Sequence, residues 1–240
     1  MTSALNKSLR EYTSARVALN RAGSSLATRE VLDFQLAHAQ ARDAVNAVLD
    51  IASLLQGLQE RGLGSLVLQS AARDRSTYLR HPELGRTLTA ESAAKLAPAP
   101  WDVVFVIADG LSALAVVRHA LPVLDQVLPL LDTDWSVGPV CVVEQGRVAI
   151  GDAIGASLQA KSSVVLIGER PGLSSPDSLG AYITWSPRPG RKDAERNCIS
   201  NIRPEGLGYA PAARMLSFYL HESLRRKLSG VALKLTSALP

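Results

Sequence analysis

Cysteine is almost missing from this 240-residue chain, and aromatic residues make up only 5% of it. The two cysteines, Cys141 in an apolar run and Cys198 in a polar segment, do not make a disulfide framework, so a reducing compartment is expected. Scarce aromatics, and the lack of any helix-turn-helix, zinc-finger or RNP signature, argue against nucleic acid as a partner. No apolar run approaches the roughly eighteen residues of a membrane span. The opening MTSALNKSLREYTSARVALN lacks a signal-peptide apolar region. A cytoplasmic protein without membrane contact is the expectation. His38, His81, His119 and His221 lie far apart with no metal-ligand spacing, so no metal site is expected.

What is present begins with a 47% apolar share, ample for a core. The net charge of +4 is unevenly spread: residues 186–240 hold ten Lys/Arg against four Asp/Glu, whereas the first 185 hold sixteen against eighteen. A basic C-terminal stretch suits an acidic partner subunit, phosphate on a ligand or an ordinary solvated face, and composition leaves these open.

Periodicity divides the chain near Pro98 and Pro100, into a helical N-terminal arm (1–100) and an α/β domain (101–240). Leu5, Leu9 and Tyr12 make one apolar stripe on a short first helix. Thr28 is expected to cap a long helix running to Gly62 or Gly64, with Glu30 in its first turn. Phe34, Ala37, Ala41, Val45, Val48, Ala52 and Leu55 share its apolar face, beside a polar stripe of Gln35, His38, Arg42 and Asn46. After Trp101, DVVFVIADG, PVCVVEQG and SSVVLIGERPG are apolar throughout and alternate with helical segments. Strands buried on both faces with helical crossovers imply a small doubly wound, mostly parallel α/β sheet.

Ligands of such sheets bind beyond the carboxyl ends of the strands. Three runs end there in glycine-bearing turns: Asp109-Gly110, Glu144-Gln145-Gly146 and Gly168-Glu169-Arg170-Pro171-Gly172. No P-loop, dinucleotide fingerprint or nucleophile elbow is present. Cys198, flanked by Arg196, has positive charge nearby to favour a thiolate, but no base close in sequence. The residues alone describe a ligand-binding α/β domain with no self-contained catalytic site.

NRAG, HAQARDAV, YLRHPELGR, DVVFVIADGLSA, RVAIGDAIG, LIGERPGLSSPDSLGAY and NCISNIRPEG together resemble the ethanolamine ammonia-lyase small (light) subunit over nearly the whole chain. Departures fall near Asn20, where glycine is expected, and at the N-terminus. The resemblance implies a partner, the large subunit, and adenosylcobalamin as cofactor. It implies a radical conversion of ethanolamine to acetaldehyde and ammonia, with the substrate pocket in the other chain. Cofactor contacts carry over to Val148 in RVAIGD, Glu169 in IGERPG and Cys198 in NCISN. No Asp-x-His-x-x-Gly occurs, so the cofactor's own base is expected to stay on cobalt. The family leaves enclosure in a bacterial microcompartment open. Two other readings stand beside this one: a stand-alone nucleotide-binding module, and a scaffold subunit without cofactor contact.

Overall fold

A computed structural model describes residues 16, 17 and 19–234. The Leu5/Leu9/Tyr12 stripe lies outside the described residues. A two-stranded ribbon, β1 (Arg21–Ala22) with β2 (Ser25–Leu26), precedes helix α1 (Thr28–Asn46) and helix α2 (Ile51–Glu60). Strand β3 (Ser65–Gln69) follows, then the short helices α3 (Arg75–Arg80) and α4 (Ala90–Ala94). The rest alternates: β4 (Val103–Ala108), α5 (Ala113–Val127), β5 (Val140–Glu144), α6 (Ile150–Ser157) and β6 (Ser162–Gly168). It closes with β7 (Leu179–Trp185), β8 (Arg196–Ile202) and α7 (Tyr209–Arg226).

The six larger strands form one sheet in the order β3-β5-β4-β6-β7-β8, parallel as far as β6 and antiparallel beyond it. Its centre is β4, whose six residues are all buried. Because side chains alternate along a strand, Val103, Phe105 and Ile107 enter one core with α2, α5 and α7. Val104, Val106 and Ala108 enter the other, with Leu96 and α6. Helices therefore cover both faces, which makes the sheet doubly wound. The stretch Ala113–Leu130 is long and apolar enough to cross a membrane. Its Val116, Ala120, Val123, Leu124 and Val127 are instead fully buried in the first core.

Three expectations for the arm need correcting. The long helix is two: the chain extends at Ala47, and Asp50 starts a new helix by accepting a hydrogen bond from Ser53 N at 3.1 Å. The proposed apolar face is thereby split, and Val48 is 87% exposed. Thr28 is the first helical residue rather than the cap, a place taken by Ala27 without a side-chain bond. Residues 65–69 are a strand, not part of a helical arm, and pair in register with 140–144. Glu30 does occupy the first turn of α1, buried and bonded to Asn20 Nδ2 at 3.2 Å.

Candidate functional site at the carboxyl edge

The chain leaves β4 towards α5 on one face and leaves β5 towards α6 on the other. The crevice of this sheet therefore opens between these two strand ends. Asp109 stands there, 2% exposed, accepting a hydrogen bond from Gly146 N at 3.0 Å. Burial pushes its carboxyl up to about 6, against the pull of Arg75 and the backbone donors of Gln145, Gly146 and Gly110. Arg75 reaches in from α3, with Nη1 3.6 Å from Asp109 and 2.8 Å from the Gly110 carbonyl oxygen. Its Nε donates to Val45 O at 2.6 Å.

Two glycines make the edge this tight. Gly110 has φ +56°, and a Cβ on it would collide with the carbonyl of Gly168. A Cβ on Gly168 would collide in turn with the carbonyls of Ser112 and Asp109. The turns after β4 and β6 are thus in backbone contact, closed by Leu111 N to Gly168 O at 2.9 Å.

Beside them Tyr78, fully buried, lies between two guanidinium groups, Arg75 at 4.7 Å and Arg147 at 4.0 Å from its ring centre. Burial raises its hydroxyl to about 12, and that hydroxyl donates to Gly146 O. Arg147 Nη2 donates to Tyr78 O, and Arg147 N to Gly85 O. The segment YLRHPELGR is therefore the platform on which the turn after β5 rests.

These residues border a cavity of about 430 Å³ whose lining includes Tyr78, Leu111, Arg147, Val148, Glu169 and Tyr182. Val148 and Glu169 thus share one cavity. Cys198 is not on its wall; it sits opposite Tyr182 in the β7–β8 register. It belongs to the edge strand β8, and its side chain is open to solvent. The expected pull towards a thiolate is overturned. Desolvation by its neighbours raises the thiol and the Glu169 charge adds to this, while Tyr182 opposes it. Arg196 gives no help, because it is locked in a buried two-pronged pair with Asp152 at 2.6 and 2.7 Å.

Glu169 is not paired with Arg170. Its carboxylate accepts from the hydroxyl of Ser178, from Ser200 Oγ at 2.6 Å and from Asn201 N at 3.1 Å. It therefore clasps the β6–β7 loop to β8. A second clasp joins SPDSLGAY to NIRPEG: Asp177 takes Arg203 at 2.9 Å and Arg118 at 2.8 Å. His119, 4% exposed, donates to or accepts from Tyr209 at 2.8 Å and lies 3.6 Å from Asp177. Sequence reasoning missed Arg75, Tyr78 and Arg147, though the last two lie in blocks already singled out.

The family described as ethanolamine ammonia-lyase light chain matches residues 4–234. The ethanolamine ammonia-lyase small subunit of Azotobacter vinelandii is 57% identical over 235 residues, covering 94% of this chain and 86% of that one. The small subunit from Pseudomonas aeruginosa is 56% identical over 233 residues, 94% and 85% of the two chains. That from Xanthomonas campestris pv. campestris is 57% identical over 233 residues, 94% and 86%.

Proposed function

The chain belongs to the ethanolamine ammonia-lyase light-chain family, and from that premise we propose how its carboxyl edge serves the enzyme. The chain is the small subunit of an adenosylcobalamin-dependent lyase that converts ethanolamine to acetaldehyde and ammonia. It holds one side of the cofactor, and a large subunit holds the other side and the substrate. The observation that carries this is the cavity shared by Val148 and Glu169, bordered through Tyr182 by Cys198.

The residues present fit such a ligand. A corrinoid has apolar faces and a rim of amides that both donate and accept. Leu111, Val148, Ile167 and the Tyr182 ring offer apolar wall. Glu169 offers a carboxylate to rim amide N–H groups. Arg147 offers a donor, since its Nε is buried without an acceptor among the described residues. About 430 Å³ is small for a corrinoid with its nucleotide tail, so this chain covers only part of it. When bound, the cofactor supplies the radical that takes hydrogen from substrate. The chain's own contribution is to seat and orient it and to shield that side from water.

The test is reconstitution. Large subunit, this chain, adenosylcobalamin and ethanolamine together should lose the alkylcobalamin absorbance and release acetaldehyde; this chain alone should do neither. Equal activity and cofactor affinity without this chain would sink the proposal.

A further inference from the structure

The carboxylate that faces the cavity is aimed by an irregularity in β8. The β7–β8 register pairs Leu179 with Ile202 and Ala181 with Ile199, so Gly180 alone faces both Ser200 and Asn201. A bulge of this kind re-aims groups that the regular ladder would occupy, and here Asn201 has φ +59°. Ser200 Oγ and Asn201 N both reach Glu169, at 2.6 and 3.1 Å. A Cβ on Gly180 would lie 2.9 Å from Glu169 Oε1, so the carboxylate rests directly against the bulge. From the other side Glu169 accepts the Ser178 hydroxyl, and Glu169 N donates to Ser178 O at 2.9 Å.

Beside this clasp lies the second one, between the same two loops. Asp177 directly precedes Ser178, and Arg203 follows the bulge by two residues. Arg203 Nη1 donates to Asp177 Oδ1 at 2.9 Å, and both residues are buried. Arg118 Nη1, from α5, holds the other oxygen at 2.8 Å, and His119 Nε2 stands 3.6 Å from it. Burial would push the Asp177 carboxyl up, but the hydrogen bond from Arg118 and the charge of Arg203 hold it below its usual value. It is therefore ionised and gripped from two elements. Ser112 Oγ, at the start of α5, holds the same loop by donating to Pro176 O at 2.9 Å. Arg203 in turn carries the bulge. Gly206 N donates to Arg203 O at 3.0 Å and Leu207 N to Asn201 O at 2.8 Å, so the turn after Arg203 closes back on Asn201.

We propose that Asp177 is a positioning residue for the cofactor. Through Arg203 it sets the gap between Ser178 and the Ser200–Asn201 bulge, and so the direction in which Glu169 presents its carboxylate to the cavity. This role rests on the cofactor reading above. Asp177 is absent from the wall of that cavity, so its effect on a ligand passes through the residues it holds. A glutamate side chain left free samples several rotamers, and ordering it on binding costs affinity. Glu169 is ordered beforehand, by donors on two loops whose separation Asp177 fixes.

The test is a double-variant cycle, read by absorbance titration of adenosylcobalamin into the assembled two-subunit complex. Asp177→Asn should raise the Kd about three- to tenfold in the wild-type background. In a Glu169→Ala background the same change should alter Kd by less than about twofold, because the carboxylate it positions is gone. A role in folding alone would shift both backgrounds alike, and that result overturns the proposal, as does an unchanged Kd in the wild-type background. Asp177→Asn strands the Arg203 charge. Asp177→Leu with Arg203→Met, which leaves no buried charge between the loops, is therefore titrated in both backgrounds and judged by the same outcomes. Wild-type affinity in Glu169→Ala would remove the contact on which the positioning role rests. A wild-type complex that does not bind adenosylcobalamin would remove the cofactor reading itself.

Discussion

Replacing Glu169 by alanine should weaken two things at once, and their separation identifies its role. The carboxylate accepts three hydrogen bonds from its own chain, from Ser178, Ser200 and Asn201. Ser200 and Asn201 are exposed, so water replaces the lost acceptor there, whereas Ser178 is 5% exposed and stays unmet. One stranded hydroxyl plus two rehydrated donors costs about 2–3 kcal/mol. For a chain of this size that is roughly 5–10 °C in Tm. An ionised carboxylate has about four acceptor positions. Three are taken, which leaves room for one good bond to a corrinoid amide, or about tenfold in affinity. Thermal unfolding of the chain and adenosylcobalamin titration of the complex measure the two effects separately. Glu169→Gln, which keeps an acceptor for Asn201 N, should recover most of the Tm. Superimposable titrations beside a lowered Tm would make Glu169 a clasp only. An unchanged Tm would refute the clasp.

Other perturbations have equally definite outcomes. Asp109 has a folded-state pKa of about 6, above its usual value, so the folded chain binds the extra proton and stability falls as pH rises from about 4 to 6. This amounts to roughly 2 kcal/mol, and urea melts across that range should be flatter for Asp109→Asn; parallel curves would contradict the assignment. Gly168→Ala should cost about 4 kcal/mol or more, because its methyl meets two backbone carbonyls that cannot rotate away, and should be seen as loss of soluble, cooperatively unfolding protein. Asp152→Asn leaves the Arg196 charge buried and should cost about 3–5 kcal/mol, whereas Asp152→Leu with Arg196→Met should regain most of it; an equally unstable double variant would show that the pair itself contributes the stability.

The legible parts of the fold were those with long runs of one pattern. VVFVIA, VCVVE and SSVVLIG read as buried strands because nothing polar interrupts them, and the carboxyl-edge turns followed from their ends. The break between α1 and α2 was hidden because the apolar period continues through it without Gly or Pro. Its one local signal is Asp50, placed three residues before Ser53 as a cap. Five-residue β3 is too short to carry a period of its own, and it is a strand only through pairing with β5. At the site, Val148 and Glu169 were reached through the resemblance and Asp109 through its turn. The Arg75–Tyr78–Arg147 stack was not, because Tyr78 and Arg147 are separated by 69 residues and meet only when α3 folds over the β5 turn. The thiol of Cys198 was misread because the neighbouring arginine in sequence is spent on Asp152 in space.

One guanidinium touches both ends of the molecule's working surface. Arg75 bonds Val45 O at the last turn of α1 and Gly110 O at the crevice, and also reaches Gln145 Oε1 at 3.3 Å. Helix α1 is otherwise loosely held, with Leu32 57% and Leu36 61% exposed. A protein docking on α1 would press on the element that holds one of Arg75's bonds, and a ligand in the crevice would meet the strand end that holds another. Linkage makes such an effect reciprocal: whatever one occupant does to the other's equilibrium affinity is returned in equal measure. Lengthening or removing the Arg75–Val45 bond would change that coupling free energy while leaving the surfaces that each partner touches as they were.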